Sequence, residues 1–268
     1  MASAEPWAAR LAPEPFRDFL PYTSPSALKV IHAREVLKRA IEVAQHFSQP
    51  GERAREAARL QESLDAAGLG SRLVVASAPG GRLATAGLGE RERRLIGERV
   101  LALYFHLLYW DGPLFLDLRP RHLSWDAETE QLSFYPSPLW CRPGAEFMHR
   151  LRSLYRGFYG DDEAALGSGL ALYRWDCEPS EGFSRRMEVL LRRHFGPGEH
   201  SEMRFAIAHF KSTFDAIFAE AAQSRARFHP DLTFLGVELV GLYLTLEGLD
   251  VPLNPRAAFD GARGLPAA

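Results

Sequence analysis

The segment from Glu90 to Tyr109 constrains the fold more than any other part of the chain. Apolar side chains recur along it at helical spacing, and Ile96, Val100, Leu103 and Leu107 form a stripe on one face. Much of the remaining surface of such a helix would also be apolar, which is typical of a helix covered on several sides. We therefore predict a central core helix in a largely helical protein.

Helical periodicity covers most of the rest of the chain. The segments 27–47 and 52–67 are predicted helices, and the chain beyond Gly144 has the pattern of about four more. Their breaks are predicted at 157–162, 177–181, 195–199 and 229–230, where glycine, proline and polar residues interrupt the periodicity.

Strand signals are few and short. The runs 71–77 and 82–86 flank Pro79-Gly80-Gly81 and have the composition of a β-hairpin. A second small hairpin is predicted within 110–140, around a polar Asp-Ala-Glu-Thr-Glu turn. The fold class that follows is mainly α with a small β component.

The charge and cysteine content indicate which binding partners and which cellular compartment to expect. A formal net charge of -2 gives no electrostatic reason to expect nucleic acid as a partner. The two cysteines, Cys141 and Cys177, are too few for a disulfide framework, which favours a reducing compartment. The N-terminal residues lack the pattern of a secretory signal, and no later run approaches the roughly 18 apolar residues of a membrane span. We expect a cytoplasmic protein, and contact with a membrane surface stays open.

In one segment the polar residues have the spacing of a catalytic loop. Asp117-Leu-Arg-Pro-Arg-His122-Leu follows the predicted core helix and a short apolar approach, and a hairpin follows it. A kinase catalytic loop has this order: a helix, an Asp facing the attacking hydroxyl, a metal-binding Asn five residues later, then a hairpin that ends in a metal-binding Asp. Asp117 is therefore the candidate catalytic residue.

The wider sequence resembles the AarF/UbiB family of atypical kinases, which are involved in quinone lipid biosynthesis. The stretch from Asp111 to His122 sits where the family has a D-G-F-F-H-A-D-P-H-P-G-N loop. The residues around Lys29 look like the family's V-A-V-K-V strand, and those around Glu56 are similar to its E-A-x-N-L helix. The stretch from 246 to 255, Leu-Glu-Gly-Leu-Asp-Val-Pro-Leu-Asn-Pro, resembles its ending. The order is preserved from about residue 27 to 258.

Several positions depart from the family pattern. His122 replaces the catalytic-loop Asn, and Arg119 replaces the second loop histidine. Where the hairpin should end in D-F-G, the chain reads Tyr135-Pro136-Ser137-Pro138, without a carboxylate for magnesium. The family's N-terminal lysine-glycine-glutamine signature is also absent. The resemblance therefore implies a pseudokinase rather than an active enzyme.

The resemblance also implies roles for single residues. Lys29, Glu56 and His122 are candidate cofactor-binding residues, with Lys29 pairing with Glu56; Asp117 is a vestigial catalytic residue, and no metal ligand is predicted. Three of the four have a structural alternative: Lys29 as a solvent-facing helix residue, Asp117 as a turn cap or a partner of Arg119 or Arg121, and His122 as a turn or partly buried polar residue.

The predicted organisation is a degenerate kinase-like fold. It comprises an irregular lead-in (1–25), a reduced N-terminal lobe (26–90), a helical C-terminal lobe (91–260) and a tail (261–268). We expect a regulatory or scaffold protein that binds a protein partner, with a lipid-related ligand as the other open partner and no required cofactor. ATP binding by a residually active kinase or ATPase, and an unrelated all-helical adaptor, are the alternatives.

Overall fold

A computed structural model describes residues 14–22, 24, 26–31, 33–46, 49–170, 172–175, 182–195 and 202–263. The protein is mainly helical with a small β component, as predicted. The described helices are α1 (Glu14–Arg17), α2 (Ala27–Val30), α3 (Ala33–Gln45), α4 (Pro50–Ala66), α5 (Glu90–Tyr109), α6 (Ala145–Tyr159), α7 (Glu163–Leu170), α8 (Phe183–Phe195), α9 (Ile207–Gln223), α10 (Leu232–Leu249) and α11 (Pro255–Arg263). Short 3-10 turns lie at Leu20–Tyr22 and Pro120–His122.

The described strands are short and form three sheets. They are β1 (Leu73–Val75), β2 (Leu114–Phe115), β3 (Leu123–Asp126), β4 (Gln131–Phe134), β5 (Trp140–Cys141), β6 (Tyr173–Trp175) and β7 (Ala226–Phe228). In the largest sheet β4 is central, with β1 parallel to it on one side and β3 antiparallel on the other. β2 pairs with β5 and β6 pairs with β7, both antiparallel.

The chain forms two compact units, each assembled from separated segments. The first takes its described residues from 1–44, 143–199 and 207–240. The second takes its described residues from 45–142, 200–206 and 241–268. Position 90 is the predicted boundary between the two lobes, and the residues on both sides of it lie in the second unit.

The core helix of the second unit is α5, and its predicted bounds are confirmed. Ile96, Val100, Leu103 and Leu107 are fully buried, as the stripe predicts. Five residues on the other faces of its second half are buried too: Leu101, Tyr104, Phe105, His106 and Leu108. The C-terminal half of α5 is therefore enclosed on all sides, which explains why its apolar face is so wide.

The predicted hairpin over 71–86 is wrong. Leu73–Val75 is a strand, but its partner is β4 in parallel register, and 82–86 forms no strand. Gly81 has a φ of 111° in the connecting segment, and beyond it the Leu83 N–H donates to Pro120 O at 2.9 Å. The free edge of β4 offers β1 an apolar partner strand, and this long-range pairing prevails over the local turn.

The hairpin predicted within 110–140 is confirmed as β3 and β4. Asp126 closes its turn, because its carboxylate accepts hydrogen bonds from the Glu128 N–H at 2.9 Å and the Thr129 hydroxyl at 2.8 Å. Glu130 completes the turn with a φ of 51°. An Asp that bonds to backbone two residues on is a common device for fixing such a turn.

The predicted helix over 27–47 is interrupted. α2 ends after Val30, and Ile31 is extended, with a φ of −106° and a ψ of 133°. Two adjacent β-branched residues, Val30 and Ile31, favour leaving the helix at this point. α3 then starts at Ala33 and ends at Gln45; the last predicted residue, Phe47, lies outside the described residues.

Helices α6 and α7 of the first unit pack with their backbones nearly in contact. A Cβ at Gly157 would lie 2.4 Å from Leu166 N, and a Cβ at Gly169 would lie 2.6 Å from Leu154 Cα. Gly157 of α6 therefore leaves room for Leu166 of α7, and Gly169 of α7 leaves room for Leu154 of α6. Any larger side chain at either glycine would have to push the two backbones apart.

We expect Gly157→Ala to lower the free energy of unfolding by about 1–3 kcal/mol, because the added methyl overlaps backbone atoms that cannot rotate away. Gly167→Ala on α7 is the matched control, since nothing lies within 4 Å of its Cβ position. That control should stabilise α7 by about 0.5–1 kcal/mol through helix propensity. Urea unfolding of both variants measures the difference, and equal stabilities would contradict the close packing.

Among the described residues, one helix has the length and hydropathy to cross a membrane. This helix is α10, with a mean hydropathy of 1.5 over its 18 residues. However, 67% of it is buried inside the protein. Its apolar composition is thus accounted for by packing in the protein core.

Candidate functional site

Asp117 lies in the second unit, in an extended stretch between β2 and the 3-10 turn Pro120–His122. Its neighbours Leu116 and Leu118 are fully buried, and the Leu116 N–H donates to Leu139 O at 2.9 Å. The Thr245 hydroxyl donates to Leu118 O at 2.7 Å. The backbone on both sides of Asp117 is therefore fixed, and the carboxylate itself is only 1% exposed.

Three side chains from the next five residues surround the Asp117 carboxylate. Arg119 binds both oxygens, with Nε 2.8 Å from Oδ1 and Nη2 2.7 Å from Oδ2. Arg121 Nη2 donates to Oδ2 at 2.8 Å, and His122 Nε2 lies 3.1 Å from the same oxygen. The Arg119 N–H adds a contact of 3.2 Å to Oδ1. We call Asp117, Arg119, Arg121 and His122 together the Asp117 cluster.

The Asp117 cluster holds its carboxylate in the ionised form. Burial alone would raise the pKa of Asp117, but the hydrogen bonds from Arg119 and His122, and the positive charges of both, lower that pKa far below its ordinary value. A general base works best with a pKa near the operating pH and an oxygen free to meet the substrate hydroxyl. In the arrangement that the structure shows, both oxygens of Asp117 instead bind the cationic side chains around them.

His122 belongs to the same cluster rather than to a separate site. Its Nε2 also lies 3.2 Å from Arg121 Nε, and its ring stacks on Tyr135 with centroids 6.2 Å apart. Its Nδ1 is buried without a hydrogen-bond partner among the described residues. Within that part of the chain, no group of three or more His, Cys, Asp or Glu side chains is placed to hold a metal ion.

Glu56 lies on α4 and is paired with arginines. Its Oε2 accepts from Arg59 Nη1 at 2.9 Å, and its Oε1 lies 2.8 Å from Arg142 Nη2. The partners that the structure gives Glu56 are thus arginines and not the predicted Lys29. Because only 7% of Glu56 is exposed, these pairs tie α4 to the segment after β5.

Lys29 lies on α2, in the first unit, and is exposed. The family strand that its surroundings resemble is therefore a helix in this protein, which corrects that part of the resemblance. The structure brings Asp117 and His122 into one cluster, and it places Glu56 in a different ion-pair group of the same unit.

Arg142 is a partner of Glu56 that the sequence does not predict, whereas Arg119 and Arg121 are among the predicted alternatives for Asp117. Arg142 is far from Glu56 in sequence, so no local spacing could indicate the pair. For Asp117 a signal was present, since arginines two and four residues after an Asp can both reach its carboxylate across a tight turn.

Comparison with protein-family models and with curated protein sequences gives no match for this chain. The kinase-like resemblance therefore stays a prediction, carried by the order of its motifs along the sequence.

Proposed function

We propose that the protein is a pseudokinase-like regulatory or scaffold protein, which binds a partner protein or a lipid-related ligand without metal-dependent phosphoryl transfer. The observation that carries this proposal is the Asp117 cluster, in which both oxygens of the candidate catalytic carboxylate are bonded to cationic side chains.

The contacts around Asp117 oppose catalysis in two ways. Arg119 occupies both carboxylate oxygens, so a substrate hydroxyl would have to displace a charge-assisted, bidentate pair. Arg119 and Arg121 also place two positive charges beside the loop, where a phosphotransferase needs room for magnesium. A kinase loop arranged in this way supports the fold around it and not a reaction.

The proposal is tested by thermal unfolding with ATP and with ADP, each in excess magnesium and in excess chelator. We expect no stabilisation that depends on magnesium, because the Pro136-Ser137-Pro138 segment supplies no carboxylate for the metal. A true metal–nucleotide site at 100 times its Kd would add about 2.7 kcal/mol of stability. A stabilisation of that size that chelator abolishes would favour a residually active kinase or ATPase.

A further inference from the structure

A cleft of about 370 Å³ lies in the second unit, between α4 and the ends of β1 and β4. On the α4 side its wall is made of Ala54, Ala57 and Ala58, which leave the space that longer side chains would fill. Arg53 and Tyr135 line the same cleft and bring polar groups to it. A volume of several hundred Å³, apolar walls and a few convergent polar groups are typical of small-molecule sites.

The walls of this cleft are held in place by hydrogen bonds. Gln61 Oε1 accepts from the Val75 N–H at 2.7 Å, which ties the end of β1 to α4. The Ala76 N–H donates to Phe134 O at 2.8 Å, which ties the same end to β4. The cleft is therefore formed before any ligand arrives, and binding needs little reorganisation.

Arg53 is the unusual member of the lining. Its guanidinium carbon lies 5.3 Å from the centroid of the Tyr135 ring, and within the described part of the chain its side chain makes no ion pair or hydrogen bond. Arg59, on the same helix, is by contrast bonded to Glu56. The ring of Tyr135 orients the guanidinium group of Arg53. The N–H donors of that guanidinium stay available for a carboxylate or a phosphate.

We propose that this cleft binds a small organic anion, whose carboxylate or phosphate group meets Arg53 while its apolar ring or chain covers the alanine wall. Apolar walls reduce the local dielectric and so strengthen the contact between the guanidinium and the anion. The inference rests on the proposed binding function and names a ligand class for it. No residue of the Asp117 cluster lines the cleft, so a failure of this proposal would leave the argument against catalysis intact.

The test uses three naphthalene probes with the full chain: 2-naphthoate, 2-naphthyl phosphate and the neutral 2-naphthamide. Isothermal titration calorimetry should show at least one anion binding about tenfold more tightly than the amide, as expected for one charge-assisted contact. The better anion identifies whether the natural ligand carries a carboxylate or a phosphate. Equal affinities for all three probes, or no saturable binding, would overturn the proposal.

Two variants with a matched control locate the binding. Arg53→Gln should reduce the affinity for the anions to that for the amide, whereas Arg55→Gln, exposed on α4 outside the cleft lining, removes the same charge and should change nothing. Ala57→Leu should weaken the binding of all three probes, because the larger side chain fills the cleft. Thermal unfolding checks that this variant is folded. An equal effect of Arg53→Gln and Arg55→Gln would place the anion elsewhere and contradict the proposal.

Discussion

Replacing Asp117 by Asn should lower the free energy of unfolding by about 3–5 kcal/mol, the usual cost of removing one partner of a buried ion pair. The variant would leave the Arg119 guanidinium, which is 12% exposed, without its anion. The loss of the Arg121 contact should contribute less to this change in stability, because the Arg121 side chain is 51% exposed and solvent screens its charge. Urea unfolding followed by circular dichroism measures the change.

The same substitution separates a structural anion from a catalytic base. Removing a catalytic carboxylate commonly costs activity while leaving stability unchanged or improved. Asp111→Asn is the matched control, since Asp111 is exposed a few residues earlier in the same loop region, and its effect should stay within about 0.5 kcal/mol. An Asp117→Asn protein as stable as its parent would show that the cluster does not hold the loop.

Two buried histidines should each contribute a part of the stability that is lost in acid. Burial lowers the pKa of His106 to about 4 and that of His194 to about 3, from an ordinary value of 6.5. Below pH 6.5 the unfolded chain therefore takes up protons at these positions while the folded chain does not. The part of the stability that these two imidazoles contribute is complete above the unfolded value and is lost as the pH falls toward the folded ones, by about 3 kcal/mol at pH 4 for His106 alone.

Unfolding midpoints in urea between pH 7 and pH 4.5 check this expectation. His106→Gln should flatten the curve, since Gln places a polar atom near Ser63, whose Oγ lies 2.9 Å from His106 Nε2, but takes up no proton. His149→Gln is the control, because His149 is exposed and should leave the slope unchanged. The same pH dependence in the parent protein and in His106→Gln would contradict the burial of a neutral imidazole at position 106.

The strongly periodic elements could be predicted because a single physical pattern determines them. α5 has apolar residues at every position that packing requires, so its bounds followed from the sequence. The β3–β4 hairpin followed from two apolar runs around a polar turn, and Asp126 supplied the turn chemistry. In both cases the interactions that define the element lie within its own segment.

Elements defined by distant partners could not be predicted in this way. β6 and β7 are three residues each and pair across more than one helix, so neither carries a pattern of its own. β1 was recognised as a strand, but its partner depends on the open edge of β4. For Asp117 the spacing fits both a catalytic and a structural role, and the bonds from Arg119 and Arg121 to its carboxylate favour the structural one.

The parallel pairing of β1 with β4 has a consequence for the order of folding. β3 and β4 meet through a short turn, whereas β1 reaches β4 only after the whole of α5 and the following loop have been placed. Closing a long loop costs more chain entropy than closing a short one, so local pairs tend to form earlier. We therefore expect the β3–β4 hairpin and α5 to assemble first and β1 to join late, as the step that completes the sheet.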